Sequence, residues 1–185
     1  MKNKALDALS YSYASSDRVL FDANILVSLF SGLEPPTSIA VRKYSRVLQL
    51  IMRAGANILL DVVVLSEFMN SCVRKHYSLA LESGGVWISF KAYRQSAEFP
   101  DVAAAVAQAA RQIVRLASRI DHPFTEWPLE AILAEFEAGQ ADFNDQLLVE
   151  VAKREGALLL TNDTDFTTGG ITVLTTHPKL LAACP

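Results

Sequence analysis

Short apolar runs alternate with longer amphipathic stretches along most of the chain. The runs predict strands, and the stretches have the three-to-four-residue apolar spacing of helices. The predicted strands are residues 19–21, 58–60, 158–161 and 171–174, and the predicted helices are residues 38–55, 62–81, 102–119, 128–139, 144–155 and a short one that opens at residue 178. This alternation is typical of an α/β fold with helices on both faces of a parallel sheet.

The ends and the middle of the chain are less regular. Residues 1–17 show no useful periodicity, so we expect a flexible leader there. Residues 18–185 then form a single domain with a helical insertion around residues 86–139. Within the insertion, residues 86–90 fit either a short strand or a loop, and Asp101 is the expected cap of the 102–119 helix.

Composition indicates an ordinary globular protein. About half of the 185 residues are apolar and a fifth are charged, which suits one domain with a substantial core. No apolar run approaches the roughly 20 residues that span a bilayer, and the first residues lack the pattern of a signal peptide. We therefore expect a cytoplasmic protein with no membrane association. Cys72 and Cys184 form no metal-like cluster, so we expect a buried thiol and a tail thiol.

Positive charge is unevenly spread, although the net charge of −3 does not indicate a nucleic-acid-binding protein. Residues 35–60 and 102–120 contain no acid. Their cations are Arg42, Lys43, Arg46, Arg53, Arg111, Arg115 and Arg119. These residues could contact phosphates, but a solvated helix face explains them more simply.

Four acidic residues lie at the edges of apolar stretches. Asp22 and Asp163 follow predicted strands, Glu67 lies about two turns into a helix, and Asp145 lies in the first turn of another. Ligands of open parallel sheets bind at the carboxyl ends of the strands, so the four can converge. Two carboxylates 4 Å apart repel by roughly 4 kcal/mol at an effective dielectric near 20, so such a group needs a cation.

The donor set indicates which cation would suit. Carboxylate oxygens without nearby Cys or His favour Mg²⁺ or Mn²⁺ over zinc. Such ions activate water and stabilise the charge that develops on a phosphodiester, so a metal-dependent nuclease is the first hypothesis. On the helix that carries Glu67, the side chains of Asn70, Ser71 and Arg74 share its face.

Each acid also has a purely structural interpretation. Asp145 would be favoured at the positive end of its helix, which Asp142 could cap. Asp163 and Asp165 lie in a natural turn sequence. Glu67 alone would be unremarkable on a solvated helix. Only the combination of the four points to a shared site.

Four segments of the chain resemble the motifs of PIN-domain ribonucleases. The first is Leu20-Phe-Asp-Ala-Asn-Ile-Leu26, and the second is Leu65-Ser-Glu-Phe-Met-Asn70. Asn144-Asp-Gln-Leu-Leu148 resembles the third, and Gly156-Ala-Leu-Leu-Leu-Thr-Asn-Asp-Thr-Asp-Phe166 resembles the fourth. The last segment is the most specific, and the order matches from about residue 19 to residue 174.

The resemblance implies a PIN-like three-layer α/β/α sandwich with a central parallel sheet, and cleavage of RNA that depends on Mg²⁺ or Mn²⁺. The metal-binding and catalytic acids that it implies are Asp22, Glu67, Asp145 and Asp163, with Asn24 and Thr161 as supporting polar groups and Asp142 and Asp165 as lesser candidates. Many bacterial members are toxins of VapC-type toxin–antitoxin pairs. An antitoxin partner and a homodimer are therefore expected.

Two features keep other functions open. The 77 residues between Glu67 and Asp145 exceed what compact toxins of this class usually carry, and they include the 111–119 arginines and the Trp127–Pro128 segment.

A haloacid-dehalogenase-like phosphatase also places an acid after its first strand, but it needs a second acid where this chain has Asn24. A non-catalytic RNA- or protein-binding module with the PIN fold is the third hypothesis.

Overall fold

A computed structural model describes residues 1–86, 89–139 and 142–184. Within these ranges its centre is a six-stranded parallel sheet. The strands are β1 (Lys4–Asp7), β2 (Arg18–Phe21), β3 (Asn57–Leu60), β4 (Ser118–Arg119), β5 (Leu158–Leu160) and β6 (Thr172–Thr175). Their order in the sheet is β1-β6-β5-β2-β3-β4.

Helices cover the sheet and confirm the predicted three-layer α/β/α sandwich. They are α1 (Ala23–Phe30), α2 (Ile39–Ala54), α3 (Val62–Glu82), α4 (Phe90–Arg94), α5 (Phe99–Leu116), α6 (Leu129–Glu137), α7 (Phe143–Glu155) and α8 (Pro178–Ala183). A 3₁₀ turn covers Phe124–Glu126. Among the described residues, no helix is both long enough and apolar enough to cross a membrane.

The central strands carry apolar residues at consecutive positions because both of their faces are buried. Leu20 of β2 lies between Leu59 of β3 and Leu159 of β5, and none of the three is more than 1% exposed. This pairing sets the carboxyl ends of β5, β2 and β3 side by side. The residues that follow these strands are therefore neighbours at one edge of the sheet.

Local signals in the sequence set the ends of several helices. Asp22, Asp61 and Asp142 are the N-caps of α1, α3 and α7, and each carboxylate accepts a hydrogen bond from a backbone N–H of the first turn. Gly156 ends α7 with φ 57°, a left-handed conformation that glycine adopts without steric strain. The predicted boundaries of these helices are correct to within a few residues.

The prediction of a flexible leader is wrong for β1. Lys4–Asp7 pair with Thr172–Thr175 of β6 and form one edge of the sheet. The backbone N–H of Ala5 also donates to the carbonyl of Cys184 at 2.7 Å. Only Ala5 of this strand is buried, so the sequence carries little apolar signal there. Cys184, expected as a tail thiol, is buried like Cys72, and both are free.

The insertion also departs from prediction. The helix predicted at 102–119 covers Phe99–Leu116, so Asp101 lies in its first turn and is not its cap. The chain then becomes extended and pairs with β3, which places Arg119 in β4 and not on one helix face with Arg111 and Arg115. The strand-or-loop prediction for 86–90 falls partly on Trp87 and Ile88, which lie outside the described residues.

Candidate acidic site at the carboxyl edge of the sheet

Asp22 is held in place by several hydrogen bonds at this edge. The residue is 8% exposed, and both oxygens of its carboxylate accept hydrogen bonds. Oδ1 accepts from the backbone N–H of Asn24 at 3.3 Å. Oδ2 accepts from the Asn24 side-chain amide and from the Thr161 hydroxyl, each at 2.6 Å. These bonds fix the position of Asp22 before any ligand binds.

Thr161 and Asn24 join the ends of β2 and β5. The Thr161 Oγ1 donates to Asp22 and accepts from the backbone N–H of Asp163 at 2.9 Å. The Asn24 Oδ1 accepts from the backbone N–H of Asn162 at 3.2 Å. Both residues were expected as supporting polar groups, and the structure places them between Asp22 and Asp163.

Burial and neighbouring charges act on the acids together. Burial raises the pKa of Asp22, the Thr161 hydrogen bond opposes that effect, and the charge of Asp163 raises the pKa further. Burial also raises the pKa of Glu67, reinforced by the charges of Asp22, Asp142 and Asp163. These charges act on Glu67 because its position on α3 brings its carboxylate near Asp22, Asp142 and Asp163.

The pKa of Asp145 is also strongly affected. Burial, then the charges of Asp22, Asp163, Asp142 and Glu67, raise its pKa to about 7. The four predicted acids therefore lie within electrostatic range of one another, and Asp142 adds its charge. Asp165 is exposed, and its backbone N–H donates to Oδ1 of Asp163 at 3.0 Å, so the turn interpretation accounts for it.

Two cavities open on either side of Glu67. One of about 500 Å³ is lined by Val63, Ser66, Glu67, Asn70, Ser71, Arg74 and Asn144. The other, of about 270 Å³, is lined by residues that include Asn24, Glu67, Lys75 and Asn162. The α3 face predicted from the spacing of Glu67, Asn70, Ser71 and Arg74 therefore lines the larger of these cavities.

The donor set fits a hard divalent cation. Its ligands would be carboxylate oxygens, and burial together with mutual repulsion already raises the pKa of Glu67 and Asp145. Among the described residues, the four acids form no salt bridge that would offset their charges; they are Asp22, Glu67, Asp145 and Asp163. Within the same residues, no group of three His, Cys, Asp or Glu side chains is arranged to hold a metal ion. Side-chain movement would have to draw the carboxylates together.

A second polar cluster at this edge was missed by sequence reasoning. Asp61 is 1% exposed, accepts from the backbone N–H of Val63 and lies 2.7 Å from Nδ1 of His122 through its other oxygen. The His122 ring packs edge-on against Trp127, with 4.0 Å between centroids. The sequence does carry one signal for Asp61, because residues 57–61 repeat the pattern of 18–22, an apolar strand followed by an aspartate. Nothing in the sequence paired Asp61 with a histidine in the insertion.

Fold and site together define the class of protein. It is an α/β/α protein whose acidic residues gather at the carboxyl edge of a parallel sheet. The PIN domain model matches residues 19–169, and the chain belongs to the PIN-domain family. PIN domains are generally nucleases and typically use divalent metal ions. No match to a curated protein was significant.

Proposed function

We propose that this protein is a metal-dependent endoribonuclease that uses Asp22, Glu67, Asp145 and Asp163. The observation that carries the proposal is that these four carboxylates lie within electrostatic range of one another, and that one of them, Glu67, lines an open cavity. Membership of the PIN-domain family supports it. Family membership also argues against the haloacid-dehalogenase alternative, as does Asn24 at the position where that class needs an acid.

The chain's own residues have separable roles in this proposal. A bound Mg²⁺ or Mn²⁺ would activate water and neutralise charge that develops on the phosphodiester. Asn24 and Thr161 hold Asp22 in one orientation. Asp145, with a pKa of about 7, holds a proton at neutral pH for much of the time until a cation takes its place. Arg74 and Lys75 line the two cavities beside Glu67 and are placed to contact phosphates.

The decisive experiment combines cleavage with metal binding. Purified protein is incubated with total RNA in Mn²⁺ and in EDTA, and Mn²⁺ binding is measured by calorimetry. We expect cleavage only with the metal, and loss of both cleavage and tight Mn²⁺ binding in the Asp22→Asn variant. Cleavage that persists in EDTA would contradict the proposal. Mn²⁺ binding without any RNA cleavage would favour the non-catalytic module.

We further propose that the protein acts as the toxin of a VapC-type toxin–antitoxin pair, as a homodimer silenced by an antitoxin. The motif resemblance supports this role. The test is to express the protein alone and together with any short open reading frame directly upstream. Growth arrest that co-expression relieves, and a dimer by size-exclusion chromatography with light scattering, are the expected results. Normal growth with the active enzyme would contradict a toxin role and leave the nuclease proposal intact.

A further inference from the structure

A small cavity lies between α3 and the first two helices of the insertion, α4 and α5. Its volume is about 210 Å³, below the roughly 300–1,000 Å³ of pockets for drug-sized ligands. We call it the aromatic pocket. Its walls include Met69, Asn70, Val73, Phe90, Arg94 and Phe99. A cavity of this size and lining suits one planar group.

Aromatic rings and guanidinium groups alternate at this pocket. The guanidinium of Arg74 lies over the ring of Phe90, 4.9 Å from its centroid, and that of Arg94 lies over Phe99 at 5.8 Å. Neither arginine forms a salt bridge with another described residue. Among the described residues, no carboxylate lines the pocket. Aromatic rings and guanidinium planes are the surfaces on which proteins stack unpaired RNA bases.

The aromatic pocket adjoins the larger of the two cavities beside Glu67. Asn70 lines both cavities, and it lies one helical turn beyond Glu67 on α3. Arg74, which covers Phe90, also lines the larger cavity. A nucleotide chain that passed Glu67 would have Arg74 beside its phosphate and the aromatic pocket beside its base. The Asn70 amide can donate to and accept from a base edge.

We propose that the aromatic pocket binds the base of a single-stranded RNA nucleotide next to the cleaved phosphodiester and so sets sequence preference. This inference rests on the proposed ribonuclease function. Bases within a duplex are stacked and paired, so the occupant must be unpaired. A docking protein helix would instead need an extended apolar groove with several anchor pockets. The insertion between Glu67 and Asp145 would supply one wall of the specificity site.

A matched pair of substitutions on α5 tests the pocket. Ala103 lines it, whereas its neighbour Ala104 is exposed and does not. Ala103→Leu fills the cavity, and Ala104→Leu adds the same side chain to the outer surface of the same helix. Both are made with Asp22→Asn, which prevents cleavage. Binding of a fluorescent single-stranded RNA octamer of mixed sequence is then measured by anisotropy.

We expect Ala103→Leu to weaken binding about tenfold, because base–aromatic stacking contributes roughly 1–3 kcal/mol per base. Ala104→Leu should match the parent. The parent is also tested with a series of octamers that each lack the base at one position. At one of these positions, loss of the base should weaken binding by the parent as much as Ala103→Leu weakens binding of the intact octamer. Ala103→Leu should have no further effect on that octamer, because the two changes remove the same interaction.

Equal affinity of the two leucine variants would overturn the proposal, and so would a parent that binds no octamer or is indifferent to every abasic position. Circular dichroism shows whether Ala103→Leu is folded. If it is not, Arg94→Gln replaces it, with a weaker but still position-specific loss expected. Absence of RNA cleavage by the unmodified protein with Mn²⁺ would instead contradict the proposed function, since the binding assay requires no cleavage.

Discussion

Asp22 and Asp61 occupy equivalent positions, two residues beyond the paired Leu20 and Leu59 of adjacent strands, yet their carboxylates have different partners. Each caps the helix that follows. Asp22 is bound by the Thr161 hydroxyl and lies near Asp163, whereas Asp61 faces His122. Position at a strand end therefore does not by itself make an acid part of the candidate site.

Asp22→Asn should abolish RNA cleavage and leave the fold intact. Asparagine preserves the shape of the side chain and remains a good N-cap for α1, but it removes the charge that a cation requires. Burial raises the pKa of Asp22, so the charge of this residue destabilises the metal-free folded protein. The melting temperature of the Asp22→Asn variant without metal should therefore be unchanged or higher. Cleavage assays and thermal melts check this. Asp101→Asn, an exposed acid on α5, is the control and should cleave normally.

Thr161→Val should lower both stability and activity. The substitution keeps the shape but removes the hydroxyl that donates to Asp22 and accepts from the Asp163 backbone. We expect a loss of about 1–3 kcal/mol in unfolding free energy, because the Asp163 N–H and an Asp22 oxygen each lose a partner. Urea denaturation measures the loss. Thr161→Ser retains the hydroxyl and should restore cleavage. A Thr161→Ser variant as inactive as Thr161→Val would contradict the role of this hydroxyl in positioning Asp22.

Asp61→Ala should destabilise the protein without removing the metal chemistry. It deletes the N-cap of α3 and leaves His122 without its carboxylate partner, which together should cost about 2–3 kcal/mol. Asp61→Asn keeps a capping oxygen and should cost less. Chemical denaturation gives the energies, and Mn²⁺ calorimetry tests the site. Loss of Mn²⁺ binding in folded Asp61→Asn protein would place Asp61 among the metal-binding acids.

Without metal, the protein should become less stable as pH rises from about 4 to about 7. The pKa of Asp145 is raised from its usual 3.8 to about 7, so the folded state binds its proton more tightly than the unfolded chain does. This stabilisation is fully present below the unfolded pKa and is lost as pH rises through the folded pKa. The raised pKa values of Asp22 and Glu67 act in the same direction.

Asp145→Asn should flatten this dependence and be more stable than the unmodified protein at pH 8 in EDTA. Urea denaturation at pH 5 and pH 8 measures the difference, with Asp101→Asn as a control that should follow the unmodified protein. Mn²⁺ at 100 times its dissociation constant should add about 2.7 kcal/mol to the unmodified protein. A steeper decline of stability in Asp145→Asn than in the unmodified protein would contradict the electrostatic interpretation.

The parts of the fold that follow from sequence are those with runs of buried apolar residues or a clear helix-ending signal. Strand β2 and strand β5 are apolar at consecutive positions, and α7 ends at a glycine, so local pattern determines them. Strand β1 has one buried residue and depends on a partner near the other end of the chain. Its pairing cannot be read from its own four residues.

The candidate site likewise has a part that the sequence predicts and a part that it does not. The positions of Asp22 and Asp163 follow from strand ends, and the shared face of Glu67 and Asn70 follows from helical spacing. The Asp61–His122 pair and the aromatic pocket depend on how the insertion packs against α3 and β3. Such contacts between distant segments leave no periodic trace in a single sequence.

The pairing of β1 with β6 also constrains the order in which the chain can acquire its structure. The Asn3 side chain accepts a hydrogen bond from the backbone of Ile171, 168 residues further along. On the ribosome, β2, β3 and β5 are all synthesised before β6, which is the neighbour of β1 in the described part of the sheet. Strand β1 therefore precedes the other described strands in the chain but is among the last of them to be paired. Closing so distant a contact carries a large loop entropy, so docking of this edge belongs to a late step of folding.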